Sequence, residues 1–95
     1  MFDVILLSDH TEDGIRKASF LTCDVVCSKQ IDIELAGDVI RSVRYTGGCH
    51  GNTQGVGALV AGMQKDEVIA RLDGINCKGR GTSCPDQLAR ALKQL

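Results

Sequence analysis

The chain has no tryptophan, only three aromatic residues (Phe2, Phe20 and Tyr45) and a single proline among its 95 residues. With so few rings, little apolar area is buried per residue, which excludes a core organised around large aromatic side chains. Positive charge is not in excess either: 11 Lys plus Arg against 12 Asp plus Glu leave a formal net charge of −1. That balance argues against a dedicated DNA or RNA binder, which carries a basic surplus. Long apolar runs are missing as well. The opening run, residues 4–7, follows Asp3 and is too short for a signal peptide core or a membrane span. No linker, repeat or low-complexity segment breaks the chain, and the expected compartment is the cytoplasm, away from membranes.

The hydrophobic fraction of 43% is enough for a globular domain. Eleven glycines add backbone entropy that folding must overcome, and a chain this short often needs a metal, a disulfide or a partner to supplement its core. Five cysteines suggest the supplement. In the cytosol thiols stay reduced, so clustered cysteines read as metal ligands or redox groups, and an odd count defeats an all-disulfide scheme.

The N-terminal part is weakly patterned. Residues 2–7 suggest a short strand, residues 9–14 a polar turn, residues 15–18 a weakly signalled helical turn, and residues 19–26 another strand. Ile31, Ile33 and Leu35 then alternate with Asp32 and Glu34, the period of a half-buried strand. Residues 36–38 turn the chain and residues 39–46 return, which makes a hairpin. Helical period takes over at residues 52–63, rich in small residues, with Val56, Leu59, Val60 and Met63 as its stripe. Gly55 and Gly57 weaken that helix unless something packs closely on its face, and the C-terminal helix is the expected neighbour. Residues 66–72 form a second helix. Ser83 and Asp86 frame a capping box around Pro85, so the last helix opens near Cys84, with Leu88, Ala91, Leu92 and Leu95 facing the core. Strands followed by helices predict an α+β domain, a small antiparallel sheet with its helices on one face.

The cysteines fall at the ends of these elements. Cys27 precedes the hairpin, Cys49 stands where its second strand gives way to a helix, Cys77 lies in a glycine-rich loop and Cys84 opens the last helix. The positive end of a helix favours thiolate, the form that binds metal, and glycine neighbours let backbone N–H groups approach sulfur. Four thiolates brought together are the Cys₄ set of Zn²⁺ or an iron–sulfur cluster. The spacing is not diagnostic: 3, 21, 27 and 6 residues separate successive cysteines, with no C-x-x-C, and buried inert thiols are the competing reading. Cys23 fits its strand's alternation and reads as a core residue or spare thiol.

Residues 20–95 resemble the small four-cysteine TSCPD family, through VCSKQI at residues 26–31, TGGCHGN at 46–52 and CKGRGTSCPDQLA at 77–89. The resemblance covers about four-fifths of the chain and leaves residues 1–19 as an N-terminal extension, an extra strand or an added segment. Related segments occur in the C-terminal region of some cobalamin-dependent ribonucleotide reductases. The resemblance carries the family's four motif cysteines onto Cys27, Cys49, Cys77 and Cys84 and leaves Cys23 outside the pattern. A fainter likeness is to iron–sulfur scaffolds of the IscU and NifU type, in which cysteines stand where Cys27, Cys49 and Cys84 do, implying an IscU-like arrangement of hairpin and helices. Lys29 replaces the Asp of those scaffolds, Ser83 replaces a His, and their proline-rich docking segment is absent.

These readings lead to a metal-binding module with zinc in a tetrathiolate shell, and an iron–sulfur carrier as the alternative. A closed shell leaves no position for substrate. Lys29, Lys78 and Arg80 would offset the charge of four thiolates or bind an anion, although solvated surface charge explains them equally well. The expected partner is a protein, such as a ribonucleotide reductase or a redox protein. Ribonucleotide reduction needs a barrel, a radical source and a nucleotide site, so ribonucleoside-diphosphate reductase activity belongs to the larger relatives. A Cys49–His50 dyad is disfavoured because adjacent residues rarely orient productively, and His10 lies in the unmatched segment. The glycines around Cys49 satisfy neither phosphate-loop pattern.

Overall fold

A computed structural model of the chain describes residues 3–23, 26, 28–47, 50–75 and 81–95. Four strands, β1 (Ile5–Glu12), β2 (Ile15–Leu21), β3 (Ser28–Ala36) and β4 (Val39–Gly47), pair antiparallel in chain order. Three helices follow, α1 (His50–Val60), α2 (Lys65–Leu72) and α3 (Cys84–Lys93). The result is the α+β class expected from the sequence.

Two tight turns set the sheet. Glu12 pairs with Ile15 across Asp13 and Gly14, both at positive φ (53° and 79°), the backbone of a type I′ hairpin turn. Ala36 pairs with Val39 across Gly37 and Asp38, with Gly37 at φ 62° in the first turn position. The second hairpin lies where the alternation puts it. The first does not. Asp9 to Glu12, expected to turn, continue β1, and the expected helical turn at 15–18 is the start of β2. All eight residues of β1 are exposed, so no buried face imprints a hydrophobic period. Its polar side chains pair across the strands instead: the Arg16 guanidinium holds the Asp9 carboxylate through two hydrogen bonds of 2.9 and 2.6 Å, and lowers that carboxyl's pKa.

The core sits on one face of the sheet. Ala18 and Phe20 from β2, Ile31, Ile33 and Leu35 from β3 and Ile40 from β4 meet Leu88, Ala91 and Leu92 from α3, with Val60 of α1 and Val68 of α2. On the opposite face Ser19 donates to Asp32 at 2.6 Å and Gln30 to the same oxygen at 2.9 Å, the polar side of a half-covered antiparallel sheet. The C-terminal end of α3 is tied back to the first strands, by the Gln94 amide donating to the Val4 carbonyl and Arg16 donating to the Leu95 carbonyl. No described helix is long and apolar enough to cross a membrane.

Helix α1 packs chiefly against β4 rather than α3. The close approach expected at its glycines is real at one of them: a Cβ built on Gly57 would lie 2.6 Å from the Val43 carbonyl oxygen, whereas one on Gly55 meets nothing within 4 Å. Leu59, expected in the buried stripe, is 77% exposed. The two glycines therefore respond oppositely to alanine. Gly57→Ala should destabilise by about 1–3 kcal/mol, because a strand carbonyl cannot give way cheaply. Gly55→Ala should stabilise by roughly 0.5–1 kcal/mol through helix propensity. Urea unfolding of the two variants checks the signs; equal effects would remove the packing explanation.

Candidate functional site

Helix α3 begins where its sequence says it should. Ser83 is the N-cap in extended conformation (φ −156°, ψ 171°), its hydroxyl accepts from the Asp86 N–H at 3.1 Å, and Pro85 occupies the first turn. The reciprocal half of a capping box is not formed by the Asp86 carboxylate. Fully buried, that carboxylate accepts from Thr82 Oγ1 at 2.5 Å, Arg90 Nε at 2.8 Å and the Gly74 N–H at 2.7 Å. Burial alone would raise its pKa. The hydrogen bonds from Thr82, Arg90 and Gly74, with the Arg90 charge, outweigh burial and hold it below the ordinary aspartate value.

The next residue extends the cluster. The Gln87 amide, also fully buried, donates to Thr82 Oγ1 at 3.1 Å, and its oxygen accepts from the Cys23 N–H at 3.0 Å. The Ser83 hydroxyl donates to the Ile75 carbonyl at 2.7 Å. Every buried side-chain polar atom among the described residues has a partner.

These bonds reach the roots of the cysteine-bearing segments. The segment containing Cys77 leaves the described chain at Ile75 and re-enters at Gly81; Gly74 and Ile75 at one root, and Thr82 and Ser83 at the other, are tied together through Asp86 and the Ser83 hydroxyl. The segment containing Cys27 is closed at its neck by the Thr22 N–H donating to the Lys29 carbonyl at 3.1 Å, and is held to α3 by Gln87 at Cys23. Ser28, next in chain to Cys27, pairs with Gly47, two residues before Cys49. Tyr45 closes the set, its hydroxyl donating to the Cys84 carbonyl at 3.0 Å. Burial first, then the electrostatic influence of Cys84, raises the Tyr45 pKa, so the phenol stays a neutral donor. A cavity of about 460 Å³ between β4 and α1, lined in part by Tyr45, Gly47, Thr53 and Gly57, opens beside this end.

Of the residues singled out in the sequence, Cys84 is half-buried on the first turn of α3. Cys27, Cys49, Cys77, Lys78 and Arg80 lie outside the described residues. Among the described residues no three of His, Cys, Asp and Glu gather as a metal requires. Lys29 is exposed near the start of β3. Cys23, read as a strand residue in the core, follows the end of β2 and is half-buried in the chain beyond it. His10 is exposed in β1, 3.8 Å from Glu12. Sequence pattern assigns no role to Thr82 and Gln87 within the 77–89 motif or to the Tyr45 hydroxyl, and it presents Asp86 as a cap. The available signal was a polar pair, Asp86–Gln87, directly before the apolar residues of an amphipathic helix.

Comparison with known proteins gives one match: the family model described as TSCPD domain covers residues 9–95. It starts within β1, earlier than the residues that carry the resemblance in the sequence. No curated protein and no solved structure matches the chain.

Replacing Asp86 with Asn changes almost no volume but turns one acceptor oxygen into a donor facing Thr82 and Arg90. Asp86→Asn should therefore cost on the order of 2–4 kcal/mol, the scale for breaking a buried charge-assisted network. Denaturant unfolding measures it, and a loss under about 0.5 kcal/mol would show that the cluster does not hold the fold.

Proposed function

From the chain's membership of the TSCPD domain family, we propose that it is a small metal-binding module in which Cys27, Cys49, Cys77 and Cys84 hold one Zn²⁺ as a tetrathiolate. The observation that supports the proposal is the set of hydrogen bonds among described residues that flank the four cysteines in the chain. Described residues near Cys27, Cys77 and Cys84 are joined at the start of α3 by the Asp86, Gln87 and Ser83 hydrogen bonds, Tyr45 of β4 donates to the Cys84 carbonyl, and Ser28 and Gly47 pair between β3 and β4 beside Cys27 and Cys49 in the chain. Consecutive Cα atoms are about 3.8 Å apart, so cysteines two or three residues from such roots have a short reach to one another. The donor set fits the metal: four soft thiolates are a structural zinc shell.

When bound, zinc supplies binding free energy that becomes folding free energy, and with four protein ligands it offers no open position to a substrate. The residues of this chain do the rest. Thr82, Ser83 and Asp86 brace the roots of the Cys77 segment, Tyr45 holds the Cys84 backbone, and Lys29, Lys78 and Arg80 offset the net negative charge of a tetrathiolate zinc centre. The role is an accessory or interaction role beside a protein partner, of which a ribonucleotide reductase or another redox protein is the class the family resemblance suggests. The alternative occupant of the same cysteines is an iron–sulfur cluster; the scaffold-like placement of Cys27, Cys49 and Cys84 favours it, and Lys29 in place of the scaffold Asp opposes it.

Elemental analysis of protein purified anaerobically without chelator, with a visible spectrum, tests the reading. Near one zinc per chain and no colour is the expected result. Iron with sulfide and a brown colour would replace zinc by a cluster, and five titratable thiols on a folded, metal-free chain would overturn the proposal. Cys84→Ser should lose metal and fold together, and full metal content in that variant would remove Cys84 from the ligand set.

A further inference from the structure

Gln87 is fully buried, and burying a carboxamide costs desolvation that an apolar side chain of similar size would not incur. Hydrogen bonds offset that cost, and among them are bonds to the roots of cysteine-bearing segments. One reaches the Cys23 N–H, four residues before Cys27; another reaches Thr82 Oγ1, two residues before Cys84 and at the re-entry of the Cys77 segment. Thr82 in turn donates to Asp86, whose other oxygen accepts from the Gly74 N–H at the opposite root of the same segment. A single side chain thus bridges two segments that are 64 residues apart in sequence at the bond to Cys23. At the neck of the Cys27 segment the Thr22 N–H donates to the Lys29 carbonyl, and Gln87 adds the link from that neck to α3.

We infer that Gln87 is a positioning residue for the cysteine centre: its carboxamide sets the relative placement of Cys23 and Thr82, the described residues from which the chain leads to Cys27 and to Cys84. The inference rests on the metal reading above. It assigns to Gln87 the part that outer-shell hydrogen bonds play in metal sites, orienting the ligands without touching the ion. Ligand groups must be held to within about half an ångström for full affinity, which calls for hydrogen bonds that fix the residues beside them.

The test uses the full chain and Co²⁺, with Zn²⁺ as competitor, and reads metal affinity and the thiolate-to-cobalt absorption separately from unfolding stability. Gln87→Met keeps the volume and removes the hydrogen bonds to the Cys23 N–H and Thr82 Oγ1. It should lower Co²⁺ affinity by roughly ten- to a hundredfold and change the cobalt spectrum, the range found for outer-shell partners. Val68→Ala, in the core on α2, serves as the control for stability lost without a link to the cysteines. It should lower the unfolding midpoint and leave the cobalt spectrum of the folded protein unchanged. Gln87→Glu retains an acceptor for the Cys23 N–H and loses the donor to Thr82, so its spectrum should lie nearer the unsubstituted protein's. If Gln87→Met does not fold, the comparison of Gln87→Glu with Val68→Ala decides: a cobalt spectrum altered only in the former supports the positioning role. Unchanged affinity and spectrum in the Gln87 variants, with tight cobalt binding by the unsubstituted chain, would overturn this inference alone. A chain that takes up neither metal would overturn the zinc reading and this inference with it.

Discussion

The structure depends on one buried carboxylate. Asp86 lies with no exposed surface at the junction of the sheet-covering helix and the chain that leads into it. A charge in that position is tolerated only when it is paired and both of its oxygens are hydrogen-bonded. Here Thr82, Arg90 and the Gly74 backbone supply those bonds, and the price of burial becomes a geometric constraint. The end of α2, the start of α3 and the two roots of the Cys77 segment have to occupy fixed places for the carboxylate to be satisfied. Few other arrangements of the same chain would satisfy it.

That constraint matters more here than it would in a larger domain. The described core is a single layer of aliphatic side chains between four strands and three helices, with Phe20 its only aromatic member. Small domains of this kind bury too little surface to be stable by apolar packing with much to spare. A polar cluster adds little net free energy, but it selects one packing. A metal bound by the neighbouring cysteines would add the free energy that the cluster does not.

How legible this was in the sequence varied from element to element, for physical reasons. The β3–β4 hairpin and α3 were readable because each has one wet and one dry face, and burial writes its period into the residues: Ile31, Ile33 and Leu35 on the strand, Leu88, Ala91 and Leu92 on the helix. The β1–β2 hairpin was not, since β1 is exposed along its whole length and is held by backbone pairing and by ion pairs such as Arg16–Asp9. Only the Asp13–Gly14 dipeptide marked it. Gly57 signalled a close approach correctly, yet the partner proved to be the Val43 carbonyl of β4 and not the C-terminal helix, because a missing side chain says how near a neighbour comes and not which neighbour it is.

By itself the sequence determined the class of fold, the family, the start of the last helix at Ser83–Cys84 and the position of the cysteines at the ends of elements. All of these follow from local period, local capping chemistry and a long specific motif. The tertiary structure decided what the polar residues of that motif are for. Asp86 is a cap by spacing and a buried hub by contact; Gln87 is an unremarked helix residue by spacing and a bridge to Cys23 by contact. Hydrogen bonds between residues 12 and 64 positions apart leave no periodic trace in a chain, because they are made by packing that brings distant backbone groups together, and only the folded arrangement shows which donor meets which acceptor.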